Sequence, residues 1–123
     1  HTIKFREVDR WGEPLEDGIA RVLAMNLQDQ FNDSKYSIFP NRRKEGLRWD
    51  LAVSFSSFER IANDRVSIAA KWSARARSGT TISDSFFFEY VLPLPGDESD
   101  ELKAYNLALY SLSKNILKEL STN

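Results

Sequence analysis

The sequence predicts a two-layer α+β fold: an antiparallel sheet, built from a meander of three long strands plus short strands, with two helices packed on one face. Three observations point to it. Apolar residues recur at helical spacing in two separated stretches, 14–31 and 100–120. Between them, three runs alternate apolar and polar residues with a period of two. Each helix then has one apolar stripe and the sheet one apolar face, so the two layers must pair to bury them. At 123 residues the chain reads as a single domain, 1–123, large enough to fold around one core.

The elements follow in order. Residues 2–8 set Ile3, Phe5 and Val8 against Lys4, Arg6 and Glu7, the pattern of a short strand. Pro14 suits the first position of a helix, where its missing N–H costs nothing, and it pushes Glu13 out of the helical region. Glu16 and Asp17 then sit in the first turn, at the positive end of the helix dipole. Leu15, Ile19, Val22, Leu23, Leu27 and Phe31 form the stripe, and Asn32-Asp33-Ser34 ends it. Asn26 falls within the stripe and is expected to be buried and hydrogen-bonded. Gly18 is an odd choice for a helix interior, costing about 1 kcal/mol against alanine. Its neighbours Trp11 and Ala20 suggest a close approach, with the sheet as the expected neighbour and another subunit as the alternative.

Residues 36–39 read as a short strand ended by Pro40, and 41–46 as a polar loop. In the long run 47–61, Leu47, Trp49, Leu51, Val53 and Phe55 share one face, and Phe58 falls on the other. Val66, Ile68, Ala70, Trp72, Ala74 and Ala76 make a second alternation. Ile82, Phe86, Phe88 and Tyr90 make a third, which Asp84 interrupts. Pro93 and Pro95 end it, and Leu102, Tyr105, Leu109, Leu112, Ile116 and Leu120 form the stripe of a terminal helix.

Loop lengths fix which residues face each other. A two-residue Asn63-Asp64 loop pairs Ala62 with Arg65, placing Phe55 opposite Trp72 and Ile61 opposite Val66. The next hairpin needs three residues, Arg77-Ser78-Gly79, with Gly79 left-handed in a bulge. Ala70 then meets Phe86, Ile68 meets Phe88 and Val66 meets Tyr90. On the second face the rows are small and polar, except for Phe58–Ala69–Phe87. That apolar patch reads either as partly covered by the chain itself or as a docking site for another chain.

Catalytic chemistry finds little support. The one histidine is His1 and cysteine is absent, which leaves no base for a nucleophilic triad, no His/Cys metal site and no disulfide. The five glycines are scattered rather than gathered in a phosphate loop. No cofactor or metal is expected, and the chain reads as a non-enzyme. Glu13, Glu16 and Asp17 are explained by helix-start electrostatics. Asp84, opposite Trp72, has two readings: a carboxylate bonded to an indole N–H or turn amide, or a titrating group. Arg42, Arg43, Lys44 and Arg48 form a basic cluster, with Arg75 and Arg77 at a hairpin tip, read as solvated loops or contacts to phosphate or anionic lipid. A net charge of −1 argues against nucleic acid as a partner. No apolar run is long enough to span a membrane.

One stretch carries more identity than these. Arg10-Trp11-Gly12-Glu13-Pro14-Leu15, followed by Gly18-Ile19-Ala20-Arg21-Val22-Leu23 and Asn26-Leu27, resembles the signature helix of the PqiC family. Those proteins are auxiliary lipoproteins of a bacterial envelope transport system built around MCE proteins. The order of elements agrees downstream, through Pro40, the Trp49 strand, the Trp72 strand and the terminal helix. The resemblance gives Arg10, Trp11, Glu13, Pro14, Leu15, Gly18 and Asn26 a structural role in the family motif. It implies a non-enzymatic, periplasmic partner of an MCE-type lipid-transport protein, tethered to the outer membrane and acting in membrane integrity as a homo-oligomer. Family members carry a lipobox cysteine and a further strand before the motif. This chain is therefore expected to lack the leader, the anchor and that first strand, so that it meets the membrane only through an anchor on its native precursor. Phe58, Ala69 and Phe87 are the expected partner-binding residues. The alternative is a periplasmic domain that binds a small ligand or lipid between helices and sheet.

Overall fold

The structure, a computed structural model, describes residues 3–10, 13–14, 17–32, 49–61, 64–93 and 97–121. The expected strand at 36–39, the loop at 41–46, and Trp11, Gly12, Leu15, Glu16, Leu47 and Arg48 lie outside the described residues. The elements are β1 (Ile3–Arg10), β2 (Glu13–Pro14), α1 (Asp17–Asn32), β3 (Trp49–Ile61), β4 (Arg65–Ala76), β5 (Thr81–Val91) and α2 (Glu98–Ser121). They form a two-layer α+β fold, with a sheet of order β2-β1-β3-β4-β5. The three long strands make the expected antiparallel meander, but β1 runs parallel to β3, so the sheet as a whole is mixed. Helix α1 follows β1 and precedes β3 in the chain, as a parallel crossover requires.

The core lies between sheet and helices. Leu51, Val53, Phe55, Val66, Ile68 and Trp72 from the sheet join Leu23 and Leu27 of α1 and Leu109, Leu112, Ile116, Leu117 and Leu120 of α2. Each such large side chain contributes about 1.5–3 kcal/mol against leaving it exposed. Two polar contacts join elements across this core. Gln30 of α1 is buried and donates through Nε2 to Ser113 Oγ and to the Tyr110 carbonyl of α2. Arg60 of β3 pairs with Glu101 of α2 at 3.2 Å, both half-buried.

The β4–β5 hairpin is the one the loop argument required. Ala76 N–H donates to the Thr80 carbonyl at 2.8 Å and Gly79 N–H to the Ala76 carbonyl at 2.9 Å, enclosing residues 77–79. Gly79 has φ of 104°, which favours glycine. Ala70 pairs with Phe86, Ile68 with Phe88 and Val66 with Tyr90.

The β3–β4 register differs from expectation. Ile61 pairs with Arg65, so three residues rather than two lie in the turn, and Val53 rather than Phe55 meets Trp72. The longer turn moves the pairing by one residue, and a bulge between Phe55 and Ser57 moves it by one more. One extra residue exchanges the two faces of everything beyond it. An unbroken strand would turn Ser57 and Glu59 toward the helices; the bulge turns Phe58 and Arg60 there instead. Phe58 then packs edge-on against Phe55, with ring centroids 5.3 Å apart, and stacks on Tyr105 of α2 at 4.8 Å. In β1 an irregularity between Phe5 and Glu7 keeps Phe5 opposite Leu51 and Val8 opposite Val53.

Both helices start elsewhere than expected. Pro14 belongs to β2, paired with Asp9, and Glu13 pairs with Arg10. Proline is tolerated on such an edge strand, which needs no inward donor there, and α1 begins only at Asp17. Helix α2 begins at Glu98 because Asp97 caps it. Asp100 N–H donates to Asp97 Oδ1 at 2.9 Å, and Asp97 N–H donates back to Asp100 Oδ2 at 3.2 Å, the reciprocal arrangement of a capping box.

Candidate interaction surfaces

The expected patch is not assembled as a row of three. Phe58 is only 7% exposed and faces the helices, whereas Ala69 is half-buried on the opposite face. The row that crosses that face is Ser57–Ala69–Phe87. Ala69 and Phe87 keep their predicted pairing, and Phe87 is 66% exposed. At the end of the same strand Val91 is 63% exposed, so the outer face of β5 carries an apolar pair that periodicity had not singled out.

Ile61, in the same row as Val91, is 40% exposed, and the rest of that outer face is largely polar. A shallow trough of about 440 Å³ crosses it, lined by Ala52, Ser54, Lys71, Ser73, Ser83 and the buried Asp9. Ser54 Oγ donates to Asp9 Oδ1 at 2.7 Å, which satisfies one carboxylate oxygen. Short side chains on adjacent strands leave the surface concave here.

On the helical side an apolar groove of about 380 Å³ opens between the start of α1 and the first turns of α2. Ile19 and Val22 form one wall, Leu102, Tyr105 and Leu109 the other, with Phe58 between them. Leu102, expected in the core stripe, is 60% exposed at its rim. The capping box and the Arg60–Glu101 pair set the phase of α2, which turns Ala104 and Ala108 inward and Leu102 outward. Nothing in the spacing of leucines alone distinguishes that phase from the expected one.

The family-motif residues divide. Arg10 lies in β1 and Glu13 and Pro14 in β2; Trp11 and Leu15 lie outside the described residues. Gly18 is exposed in the first turn of α1, and a Cβ there would meet nothing within 4 Å, so it makes no close approach to the sheet. Asn26 is half-buried rather than buried; Gln30, one turn on, is the buried amide.

Asp84 faces Trp72 as the register required. The indole does not reach it directly: Trp72 Nε1 donates to Asn115 Oδ1 at 2.9 Å, and Asn115 Nδ2 donates to Asp84 Oδ2 at 3.4 Å. The other Asp84 oxygen accepts from the Ser85 N–H at 2.8 Å. Of the basic residues, Arg75 and Arg77 are exposed at the hairpin tip, and Arg42, Arg43 and Lys44 lie outside the described residues. Among the described residues no group of three or more His, Asp or Glu side chains could hold a metal ion. No described helix is long and apolar enough to cross a membrane.

Comparison with known proteins gives this architecture a family. The model of the ABC-type transport auxiliary lipoprotein component matches residues 1–117. The chain belongs to that PqiC-like family, an auxiliary transport lipoprotein family rather than an enzyme family, which associates it with the cell envelope. No curated protein matches in sequence. Solved structures share the fold. An uncharacterized protein aligns with a TM-score of 0.70 and 16% identity, over 98% of this chain and 90% of its own. A Xanthomonas campestris protein aligns with a TM-score of 0.65 and 11% identity, over 97% and 83%. The PelC dodecamer subunit from Paraburkholderia phytofirmans aligns with a TM-score of 0.54 and 13% identity, over 96% and 87%.

Proposed function

We propose that this chain is a non-enzymatic auxiliary subunit that docks an MCE-type lipid-transport protein in the periplasm and helps maintain membrane integrity. It does so as a homo-oligomer, held at the outer membrane by a lipid anchor on its native precursor. The family match over residues 1–117 carries this reading, and the PqiC-like motif beginning at Arg10 points to the MCE branch of such systems. Exposed Phe87, Val91 and Ile61 on a largely polar sheet face supply the kind of surface that a protein partner covers. Affinity capture of a purified MCE-type protein tests it. Stable retention, weakened by substitutions on the sheet's outer face, is the expected result; no retention at high protein concentration removes the reading.

The groove beneath Leu102 favours a second reading, a domain that binds a small ligand or lipid. Its walls are Ile19, Val22, Leu102, Tyr105 and Leu109, mostly apolar, with Asn106 and the Tyr105 phenol as polar groups, and its volume suits part of an acyl chain rather than a whole lipid. Lipid extracted from the purified protein and identified by mass spectrometry would support it. Loss of that lipid in Leu109→Trp, which fills the groove, would locate it there.

A further inference from the structure

One stripe of α2 changes character along its length. Glu98, Glu101, Leu102, Tyr105 and Leu109 recur at helical spacing, carboxylates first and larger apolar side chains after. The apolar part lines the groove of about 380 Å³, whose floor reaches the buried Phe58 and Leu109. The acidic part lines an adjoining hollow of about 290 Å³, which shares Leu102 and Tyr105 with the groove. In that hollow Glu101 is paired with Arg60 at 3.2 Å and accepts from the Tyr105 hydroxyl at 3.1 Å. Glu98 is exposed and has no ion-pair partner among the described residues. Across the groove lies Gly18 of α1. Glycine is a poor helix residue, and nothing in the fold requires it here. It sits within α1, outside the left-handed region, and a Cβ would meet no atom within 4 Å. What the missing side chain does is hold the mouth of the groove open.

We propose that groove and hollow together take a single-chain amphiphile whose head carries an ammonium group, with the alkyl chain past Gly18 and the head at Glu98. This rests on the second reading above, that the groove takes a ligand, and adds which kind. Length selects an alkyl chain over a side chain of a protein partner. Leu109 and Glu98 lie about 16 Å apart along α2, at about 1.5 Å per residue, farther than one side chain reaches. Chemistry selects the head. The apolar floor gains from removing methylenes from water, and the carboxylate at its end attracts a cation and repels an anion. Arg60 does not reverse that sign, because Glu101 already holds it. Asp97 and Asp100, the remaining carboxylates of this end, are bonded to each other's amides in the capping box.

Calorimetric titration of the full chain with dodecylammonium and with dodecanoate, both below their micelle concentrations, tests the proposal. The two probes share a chain and differ in the sign of the head. Dodecylammonium should bind at least about fivefold more tightly at low salt, and the ratio should shrink as salt is raised. Glu98→Gln removes the charge at an exposed position and should bring the two probes within about twofold of each other. Gly18→Leu places a side chain in the open mouth and should weaken both by at least about tenfold. Its circular dichroism spectrum should be unchanged, because the space it enters is empty. Equal binding of the two probes, or a preference that Glu98→Gln leaves intact, overturns the head assignment while the ligand reading stands. Binding of neither removes both and leaves the groove to a partner's side chain. Full-strength binding in Gly18→Leu puts the site elsewhere and overturns the proposal.

Discussion

Trp72 and Asp84 stand opposite each other on β4 and β5, yet the contact between them runs through a third residue, Asn115 of α2. The amide accepts from the indole with its oxygen and donates to the carboxylate with its nitrogen, so one side chain of the helix satisfies two polar groups of the sheet. This fixes the middle of α2 over the β4–β5 hairpin and gives Asp84 a structural task.

Replacing Asn115 with leucine should therefore leave the buried indole N–H without a partner. The expected loss is about 1–3 kcal/mol in urea unfolding. Asp84→Asn keeps an acceptor oxygen in place and should cost less than about 1 kcal/mol. Equal losses from the two would mean that the carboxylate charge, not the amide bridge, holds the helix.

Phe58 and Phe87 should behave as opposites. Phe58→Ala removes a ring packed against Phe55 and Tyr105 and should lower monomer stability by about 3–5 kcal/mol. Phe87→Ser should change it by no more than about 0.5 kcal/mol. Thermal or denaturant unfolding at low protein concentration separates the two, and a large loss at Phe87 would show that the ring is covered within the monomer.

Two glycines should also differ in sign. A Cβ at Gly18 meets nothing within 4 Å, and Gly18→Ala should stabilise by up to about 1 kcal/mol through the unfolded chain. Gly79 holds φ of 104°, and Gly79→Ala should destabilise by about 1–2 kcal/mol. Calorimetric midpoints of the two variants, measured side by side, check this.

The capping box predicts a limb of acid unfolding. Hydrogen bonding from the Asp100 amide, outweighing desolvation, holds the Asp97 carboxyl below its ordinary value. A group whose folded pKa is depressed stabilises the fold above its unfolded pKa, and that contribution is lost as pH falls through the folded one. Asp97→Ala should accordingly lower stability at neutral pH and flatten the stability profile below the ordinary aspartate range. An acid limb unchanged in slope would place the titrating group elsewhere.

Where residues state their own geometry, the sequence was sufficient. Gly79 announced a left-handed position, three independent rows agreed on a three-residue loop, and the β4–β5 register followed. The β3–β4 register was lost first at a turn one residue longer than Asn63-Asp64 and again at Ser56, because a bulge among serines has no compositional mark: Phe58 looked surface-directed by parity and is core by an inserted residue. Pro14 is as suitable for an edge strand as for a first helical turn, and only the pairing with Asp9 decides between them. The exposed position of Phe87 was legible from alternation. The groove was not, since the phase of α2 depends on Asp97 and on Arg60, which lies 41 residues from its partner Glu101.

The parallel strand has a consequence for how the chain folds. The meander and α2 close through neighbouring segments, but β1 finds its partner only across a span such as the 45 residues between Asp9 and Ser54. Loop closure over that distance comes late relative to local hairpins. The meander should acquire amide protection first in a pulsed hydrogen-exchange experiment, and β1 last. The strand that ends at Arg10, where the family motif opens, would then be the last to join the sheet, leaving the edge of β3 transiently open until it arrives.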